Sequence, residues 1–255
     1  MTVDAQGFPP PPTSGAVHLF RGRAPTEPAA ADLAILDAAE LERFARMVPS
    51  AGAQFAGSRA AVRRILAGYV RETPGRLGFG RRSCPGCGSP DHGPPQLIRP
   101  ATRLAFSLSR SDYDWLLAVT ADRLVGVDIE GAAAVDFERV APMVMTPAEL
   151  AALRAEPEEQ ARKAVFLRCW TRKEAVLKAS GIGLMAPLRE IDVLPASSGL
   201  VTVSHEAIVG AASWSVQDLP AGSRCVAALA VQAGLPAVEI SWPAVDWQQL
   251  AAVVS

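Results

Sequence analysis

Two carboxylates share one face of a short segment, Gly126–Glu130, whose sequence is GVDIE. In an extended strand alternate side chains lie on the same face, so Asp128 and Glu130 point one way and the apolar residues between them point towards a core. Carboxylates held this close repel each other, and a hard divalent cation relieves the repulsion. Gly126 on the same face would leave space for a ligand. An ordinary solvated strand face is the alternative.

A second set of charged residues lies in FLRCWTRKEAVLKASG, Phe166–Gly181, which has helical spacing. Glu174 and Lys178 are four residues apart and therefore neighbours at the edge of the apolar arc, as in an ordinary salt bridge. Lys173 falls inside that arc and must extend outwards or meet an anion. A third carboxylate with two lysines nearby suits Mg²⁺ bridging phosphate groups, so the expected ligand is a phosphorylated small molecule.

Helices and strands must bring these two segments together. Helical spacing occurs at residues 32–47 and 55–70, with Ser58 as an expected N-cap, at Thr146–Ala155, where Thr146 caps and Pro147 follows, and at Arg162–Ser180, which Gly181 ends. Strands are predicted at Leu104–Ser109, Trp115–Thr120 and Leu124–Glu130, with a hairpin turn at 121–123, and later at REIDVL, GLVTVS, ASWSVQDL and RCVAALAVQ. The order of elements occurs twice, each time from an AEL tripeptide, Ala39–Leu41 or Ala148–Leu150. This echo suggests two similar α+β halves.

Composition narrows the function further. The 255 residues are 49% hydrophobic and 20% charged, which argues against a disordered chain. With 25 basic and 26 acidic side chains there is no basic surplus for nucleic acid. No apolar stretch suits a membrane span, no secretory signal is evident, and the four cysteines do not suggest a disulfide scaffold. We therefore expect a cytoplasmic protein. Only 3 of the basic residues are lysines, and all three lie within residues 163–178.

Together, GVDIE and the helical segment resemble the signature of the 4′-phosphopantetheinyl transferases of the surfactin-synthetase-activating type. That pattern is G-[VI]-D-[IV]-E, then F/Y-x-x-x-W-[ST/A]-x-K-E-[AS]-x-x-K. The matching residues are Phe166, Trp170, Thr171, Lys173, Glu174, Ala175 and Lys178. FSLSRS, at 106–111, resembles the family segment F-N-x-S-H-S, and SRAAVR, at 58–63, resembles an N-terminal helix with an early arginine. The likeness extends from about Val17 to Val231, and a chance match at this order and spacing is improbable.

The resemblance implies an enzyme, a holo-[acyl-carrier-protein] synthase. Coenzyme A would bind with Mg²⁺, or Mn²⁺, in a cleft between the halves. A serine hydroxyl of an apo acyl or peptidyl carrier protein would attack the β-phosphate, and 3′,5′-ADP would leave. By position, Asp128, Glu130 and Glu174 would bind the metal, Glu174 could also act as the base, and Lys178 would hold the pyrophosphate. The pathway would make lipids, polyketides or nonribosomal peptides, and we expect a monomer.

The same resemblance implies an α+β fold of two pseudo-symmetric halves, each a long helix packed on a small antiparallel sheet. The expected divisions are a mobile tail at 1–15, an N-terminal half at 16–125, a C-terminal half with the metal site at 126–240 and a tail at 241–255. The carrier would dock on a largely apolar patch of the second half around Met143–Leu153, because Pro142–Met145 is an apolar run at an expected loop, unless that run belongs to the core.

This chain departs from the family pattern at its expected nucleotide contacts. Arg110 replaces the family histidine, Ser107 replaces its asparagine, and Gly93-Pro94-Pro95 replaces a G-K-P turn, so one lysine is missing. We expect Arg110 and Arg59 to compensate by binding the 3′-phosphate of coenzyme A. Alternatively, Arg110 points into solvent beside Asp112 or Asp114. The expected coenzyme A ligands are Arg59, Ser109, Arg110, Lys173 and Lys178.

Other interpretations are open. Cys84, Cys87 and His92 have zinc-like spacing, but a structural zinc site needs four ligands, so a plain loop is the default. A different Mg²⁺-dependent phosphotransferase would use the same carboxylates, although a nucleoside triphosphate user would usually carry GxxxxGK[ST], which is absent. A catalytically inactive coenzyme A-binding regulatory protein would be expected to lose acidic ligands that this chain retains.

Overall fold

The computed structural model describes residues 8–90, 93–131, 136–183, 186–204, 213–234 and 237–244. Over these ranges the chain forms six α-helices and ten β-strands. The helices are α1 (Ala30–Leu33), α2 (Ala38–Ala45), α3 (Pro49–Val70), α4 (Phe137–Val144), α5 (Pro147–Ala155) and α6 (Glu159–Ser180). The strands are β1 (Ala16–Arg23), β2 (Gly78–Arg81), β3 (Pro95–Arg99), β4 (Leu104–Ser111), β5 (Asp114–Ala121), β6 (Val125–Gly131), β7 (Val201–Val203), β8 (Trp214–Leu219), β9 (Cys225–Gln232) and β10 (Glu239–Ser241).

Two four-stranded sheets lie at the centre of the fold. Their strand orders are β10-β1-β5-β4 and β6-β9-β8-β7, while β2 and β3 form a separate hairpin. Neighbouring strands are antiparallel except β10, which runs parallel to β1. The helices α3 and α6, each of 22 residues, pack on the first and second sheet respectively. The expected α+β class, with one long helix on each sheet, is confirmed.

The opposite faces of the two sheets pack against each other. Their shared apolar layer includes Val17, Leu19 and Leu116 from the first sheet and Val127 and Ile129 from the second. Residues at alternate positions of β6 therefore enter this layer, as the sequence alternation predicted. The intervening residues of β6, which include both carboxylates, face away from it.

Gly126 has a different role from the one expected. A Cβ added there would lie 2.0 Å from the backbone oxygen of Ala175 and 2.4 Å from the nitrogen of Ala179, both on α6. The glycine therefore allows α6 to pack closely on β6, and it does not leave space for a ligand. This close contact brings the two segments that carry the candidate site residues together.

Three local predictions were wrong. The helix α3 begins at Pro49, so Ser58 lies in its middle, buried, and donates to the carbonyl oxygen of Gln54 at 2.7 Å. Proline at a first helical position was the stronger start signal. The expected hairpin at 121–123 does not form, because β5 pairs with β4 and β6 pairs with β9. REIDVL forms no strand but a 3₁₀ turn at Leu188–Glu190 followed by irregular chain.

The helix predicted at 32–47 is interrupted. α1 ends at Leu33 and α2 begins only after Asp37, whose side chain caps it. By contrast, the cap at Thr146 and the end of α6 at Gly181 are confirmed.

The predicted N-terminal tail is partly packed, and the C-terminal half does not extend through residue 240 as expected. Phe8 is buried and its ring meets that of Tyr69 edge-on, with centroids 4.8 Å apart, so residues 1–15 are not a free tail along their whole length. At the other end, β10 returns to the first sheet, so the last described strand lies with the N-terminal half. Residues 245–255 lie outside the described part of the chain.

Each half contains an equivalent buried ion pair between a glutamate and a basic residue. In the first half, Glu40 at the start of α2 pairs with Arg63 on α3, 2.6 Å apart. In the second half, Glu149 at the start of α5 pairs with Lys173 on α6, 2.7 Å apart. Both glutamates belong to capping boxes, and both cations also donate to two carbonyl oxygens of the chain that follows their helix. The AEL tripeptides thus mark a real structural repeat.

We expect His18 to make the fold sensitive to acid. His18 on β1 is buried, and its Nδ1 lies 2.6 Å from the Tyr69 hydroxyl. Burial lowers the pKa of His18, although Glu239 opposes this shift. Because the unfolded chain then binds the proton more readily, the stability contributed by neutral His18 is present above pH 6.5 and is lost as pH falls through the lowered folded pKa.

The free energy of unfolding, measured by denaturant titration between pH 7 and pH 5, should therefore fall more steeply for the natural protein than for His18→Asn. Asparagine keeps a hydrogen-bonding group near Nδ1 but does not titrate. Equal slopes for the two proteins would show that His18 does not contribute to the pH dependence.

Candidate active site

Three serine hydroxyls join β4 to β6, which lie in different sheets. Ser107 Oγ accepts from the backbone N–H of Val127 at 3.1 Å, and Ser111 Oγ accepts from that of Gly131 at 2.9 Å. Between them, Ser109 Oγ donates to Asp128 Oδ1 at 2.7 Å. We call Ser107, Ser109 and Ser111 the serine seam. Their alternation in FSLSRS places all three on one face of β4, and this fixes the position of both strand carboxylates.

Asp128 is buried at the centre of the site. Its Oδ1 accepts from Ser109 Oγ and, at 2.6 Å, from Lys178 Nζ. Its Oδ2 is buried and has no hydrogen-bond partner within the described structure. Burial raises the pKa of this carboxyl, and the charge of Lys178 partly offsets the effect. Lys178 therefore forms its ion pair with Asp128 on β6, whereas the helical spacing suggested Glu174 as its partner.

Glu130 is held through both of its oxygens. Ser111 Oγ donates to Oε2 at 3.0 Å, and the indole Nε1 of Trp170 donates to Oε1 at 3.1 Å. Burial and the nearby charge of Asp128 raise its pKa. Trp170 stacks on Phe166 and in addition orients this carboxylate. Sequence reasoning missed that second role, because a strand-to-helix distance cannot be read from either segment alone.

Glu174 lies on α6, one turn before Lys178. Its Oε1 is buried and has no hydrogen-bond partner in the described part of the chain. Burial is the largest cause of the raised pKa of Glu174, and the charges of Asp128 and Glu130 raise this pKa further. The three predicted carboxylates are therefore close enough to repel one another, and one positive charge, that of Lys178, lies among them.

This donor set suits a hard divalent cation. Carboxylate oxygens are the ligands that Mg²⁺ prefers, and two of them, on Asp128 and Glu174, are buried without a partner among the described residues. As the side chains stand, no three His, Cys, Asp or Glu groups in the described ranges converge on a common point. Lys178, which bonds to Asp128 Oδ1, occupies part of the space between the carboxylates.

A cationic surface lies on the α3 side of β4. Arg110 is exposed, and its guanidinium lies 5.6 Å from the centroid of the Phe55 ring. Arg43 contacts the same ring at 5.1 Å. Partial desolvation of the guanidinium lowers the pKa of Arg110, and so do the charges of Arg43 and Arg59. Three positive charges thus lie together at one end of the serine seam, which is typical of an anion site.

The expected partners of these arginines need revision. Arg110 donates weakly to Ser58 Oγ, at 3.4 Å, and forms no ion pair with Asp112 or Asp114 among the described residues, although it is exposed as the solvent alternative has it. Arg59 is already paired with Glu40 and lies 4.0 Å above the ring of Phe79.

Arg43 was missed, because nothing in its sequence neighbourhood distinguishes it from a solvated arginine. Its position on α2 brings it to Phe55, the residue that Arg110 also contacts.

The chain is similar to known proteins over most of its length. A family model described as the 4′-phosphopantetheinyl transferase superfamily matches residues 124–230. The 4′-phosphopantetheinyl transferase HetI of a Nostoc species is 35% identical over 236 residues, which cover 88% of this chain and 92% of that protein. The chain belongs to the 4′-phosphopantetheinyl transferase superfamily. Enzymes of this superfamily transfer phosphopantetheine to carrier proteins.

Two further relatives match shorter parts. The 4′-phosphopantetheinyl transferase psf-1 of Bacillus pumilus is 30% identical over 114 residues, 44% of this chain and 48% of that protein. The L-aminoadipate-semialdehyde dehydrogenase-phosphopantetheinyl transferase of Eremothecium gossypii is 35% identical over 179 residues, 64% and 62% of the two chains. None of the six helices in the described ranges combines the length and apolar character of a membrane span.

Lys173 does not belong to the site of this transferase, contrary to expectation. It is fully buried in the core of the second half. Its Nζ contacts Glu149 Oε2 at 2.7 Å and the carbonyl oxygens of Leu188 and Ile191 at 2.7 and 2.5 Å. These three acceptors satisfy its three N–H donors, so in the described structure none is left for coenzyme A.

Two other expectations concern exposure and metal binding. Of the apolar run Pro142–Met145, Met143 is 69% exposed, but Met145 is 0% exposed and belongs to the core of the second half. Only the first part of the run can therefore meet a partner.

In the expected zinc loop, Cys84 is buried and Cys87 exposed, while His92 lies outside the described residues.

We expect Lys173→Met to destabilise the transferase by about 3–5 kcal/mol, because it leaves Glu149 as an uncompensated buried charge. Adding Glu149→Gln should restore part of this loss, since glutamine keeps the capping oxygen and removes the charge. Lys163→Met on the same helix serves as the control and should cost clearly less, because Lys163 is only partly buried. Denaturant unfolding measures all four proteins. Unchanged stability of Lys173→Met combined with lost coenzyme A binding would return Lys173 to the site.

Proposed function

We propose that this enzyme transfers the 4′-phosphopantetheine arm of coenzyme A to a serine of an apo acyl or peptidyl carrier protein. The products are the holo-carrier and 3′,5′-ADP. The observation that carries the proposal is the cluster of Asp128, Glu130 and Glu174 with Lys178, next to a separate group of arginines. Coenzyme A has two phosphate regions, a pyrophosphate and a 3′-phosphate, and the two clusters suit one each.

The carboxylates are the proposed metal ligands. Asp128, Glu130 and Glu174 would hold Mg²⁺, or Mn²⁺, through hard oxygens, two of which are buried without partners in the described structure. When bound, the cation neutralises charge on the pyrophosphate during transfer. The serine seam and Trp170 hold the two strand carboxylates in fixed orientations before any ligand arrives, which is the organisation that phosphoryl transfer requires.

The reaction forms one bond and breaks one. The carrier serine oxygen bonds to the β-phosphorus of coenzyme A, and the bond from that phosphorus to the bridging oxygen breaks, so that oxygen leaves with 3′,5′-ADP. Glu174 takes the serine proton, directly or through water. Lys178 Nζ exchanges its contact with Asp128 for the pyrophosphate and stabilises the leaving charge.

The arginines are the proposed site for the 3′-phosphate. Arg110 is exposed and has no carboxylate partner among the described residues, so it is available for a bidentate phosphate contact. Arg43 and Arg59 add positive charge. Ser109 lies instead between Asp128 and Lys178, and its role is to position the carboxylate.

The partners and setting are further parts of the proposal. The enzyme acts as a cytoplasmic monomer in polyketide or nonribosomal peptide biosynthesis, and it needs neither nucleic acid nor membrane. An inactive regulatory protein that only binds coenzyme A would be expected to lose the three carboxylates, which this chain keeps.

We expect Glu174→Gln to reduce the rate of transfer at least ~10²-fold, because it removes a metal ligand and the base. Glutamine has nearly the same shape, so the fold should be unchanged. Glu159→Gln, in the first turn of the same helix, is the control and should keep normal activity. The assay incubates enzyme, coenzyme A, Mg²⁺ and an apo carrier domain and follows the added arm by mass spectrometry. Near-normal turnover of Glu174→Gln would remove the catalytic assignment.

Arg110→Ala should weaken coenzyme A binding by about 1.5–3 kcal/mol, the range for a hydrogen bond to a charged group. Binding of dephospho-coenzyme A, which lacks the 3′-phosphate, should change little. Calorimetry with both ligands measures the difference, and Arg46→Ala, which alters an exposed arginine at the end of α2, is the matched control. An equal loss for the two ligands would mean that Arg110 does not recognise the 3′-phosphate.

The proposed docking surface for the carrier is the groove between α4 and α5. Its volume is about 340 Å³, and it is lined by Phe137, Glu138, Ala141, Pro142, Leu150, Leu153, Arg154 and Arg162. Two arginines against one glutamate give it a positive balance, which suits the acidic and apolar helix surface that carrier domains present.

Met143→Glu at the edge of this groove should raise the Michaelis constant for the carrier several-fold and leave that for coenzyme A unchanged. Leu200→Glu, which alters a residue of similar exposure elsewhere, is the control. If Met143→Glu, Leu200→Glu and the natural enzyme had the same Michaelis constant for the carrier, docking would lie elsewhere.

A further inference from the structure

The connection between β2 and β3 carries two cysteines that the transfer reaction does not use. Its sequence from Cys84 to Gly88 is CPGCG. Two backbone hydrogen bonds close it, from Cys84 N–H to the carbonyl oxygen of Ser89 and from Gly88 N–H to that of Cys84, both at 2.8 Å. Gly88 has a φ of +75°, which favours glycine. We call residues 84–89 the cysteine turn.

The two thiols of the cysteine turn are in contact. Cys84 is buried, whereas Cys87 is exposed, and their side chains are hydrogen-bonded to each other. The backbone N–H groups of Cys87 and Gly86 also donate to Cys84 Sγ, and these bonds lower the pKa of Cys84. One thiol is thus accessible to a small reagent, and the other is held beside it in a thiolate-stabilising position.

The cysteine turn packs on the C-terminal end of α6. A Cβ added at Gly181, the residue that ends α6, would lie 3.4 Å from Pro85 Cδ of the turn. A Cβ added at Gly86 would lie 3.3 Å from Ile182. The residues that directly follow α6 therefore contact the turn, about one helical turn beyond Lys178.

We propose that Cys84 and Cys87 are a thiol–disulfide pair, which small-molecule disulfides oxidise and whose disulfide locks the turn on the end of α6. The Cys87 thiolate attacks a disulfide RSSR, forms a mixed disulfide and releases RS⁻. The Cys84 thiolate then attacks Cys87 Sγ, forms the internal disulfide and releases the second RS⁻. Two protein thiols are oxidised, and one small disulfide is reduced to two thiols.

Metal binding by the same two thiols is an alternative that the experiment distinguishes. Structural zinc takes four ligands, and His92, the expected third, lies outside the described residues. The other two cysteines lie away from this turn. Cys169 is in the core of the second half, and Cys225 on β9 contacts Arg21 on β1.

The test is equilibration of the folded enzyme with oxidised glutathione in the presence of a chelator. Alkylation after denaturation should then find two free thiols instead of the four of the reduced chain. Trypsin does not cut between the two cysteines and releases them in one peptide, Ser83–Arg103, because Arg99 precedes a proline. That peptide should lose the mass of two hydrogens and carry no glutathione.

Single variants identify the two roles. Cys84→Ser should accumulate a stable glutathione adduct on Cys87, because the second attacking thiol is gone. Cys87→Ser should keep three free thiols, because Cys84 is buried. The proposal is overturned if the natural enzyme accumulates the same adduct as Cys84→Ser, or if all four thiols stay free. A metal ion retained by the pair without chelator, together with resistance to oxidation, would also overturn it.

A separate measurement tests whether the disulfide locks the cysteine turn on the end of α6. Backbone amide exchange at the end of α6, residues 178–183, should be slower in the oxidised enzyme than in the reduced enzyme. In Cys87→Ser the oxidant should cause no change in the rate of this amide exchange. Equal or faster exchange in the oxidised enzyme would show that the disulfide does not lock the turn on α6. None of these measurements depends on coenzyme A or on transferase activity.

Discussion

The contact between β4 and β6 is the constraint on which the rest of the site depends. These strands belong to different sheets and share no backbone ladder, so the hydroxyls of the serine seam join them. Ser107 and Ser111 each accept a backbone N–H of β6, while Ser109 and Ser111 donate to its two carboxylates. Each such bond contributes only about 0.5–1.5 kcal/mol net, but leaving a buried partner unsatisfied would cost more. The seam therefore fixes the register between the halves and orients both strand carboxylates.

Within each half, a buried ion pair sets the position of the long helix. Glu40 with Arg63, and Glu149 with Lys173, connect the start of a short helix to the middle of a long one. The same cations hold the carbonyl oxygens of the chain that leaves the long helix. Such pairs are costly to bury, and they are weak evidence for stability as such. Their repetition in both halves instead indicates that they fix geometry, because each one ties three segments to a single point.

The sequence predicted the parts of this design that depend on local periodicity. Alternation along β6 identified Asp128 and Glu130, and helical spacing placed Glu174 and Lys178 on one edge of α6. The AEL echo identified the repeat, although not that its glutamates carry the buried pairs. Partner choice was less predictable. Lys178 bonds to Asp128 and Lys173 to Glu149, and both partners come from distant segments. An apolar arc that contains a lysine has two explanations, an external anion or a buried carboxylate, and only the tertiary structure distinguishes them.

The site differs from the two core ion pairs in one physical respect. Arg63 and Lys173 are paired and hydrogen-bonded within the core, whereas Asp128 and Glu174 each keep a buried oxygen without a partner in the described structure. Burial and mutual repulsion raise the pKa values of the carboxyl groups of Glu130 and Glu174, and burial raises that of Asp128. The unsatisfied oxygens support the proposal that a cationic ligand completes this site. The close packing of α6 on Gly126 keeps the helix and strand carboxylates together there.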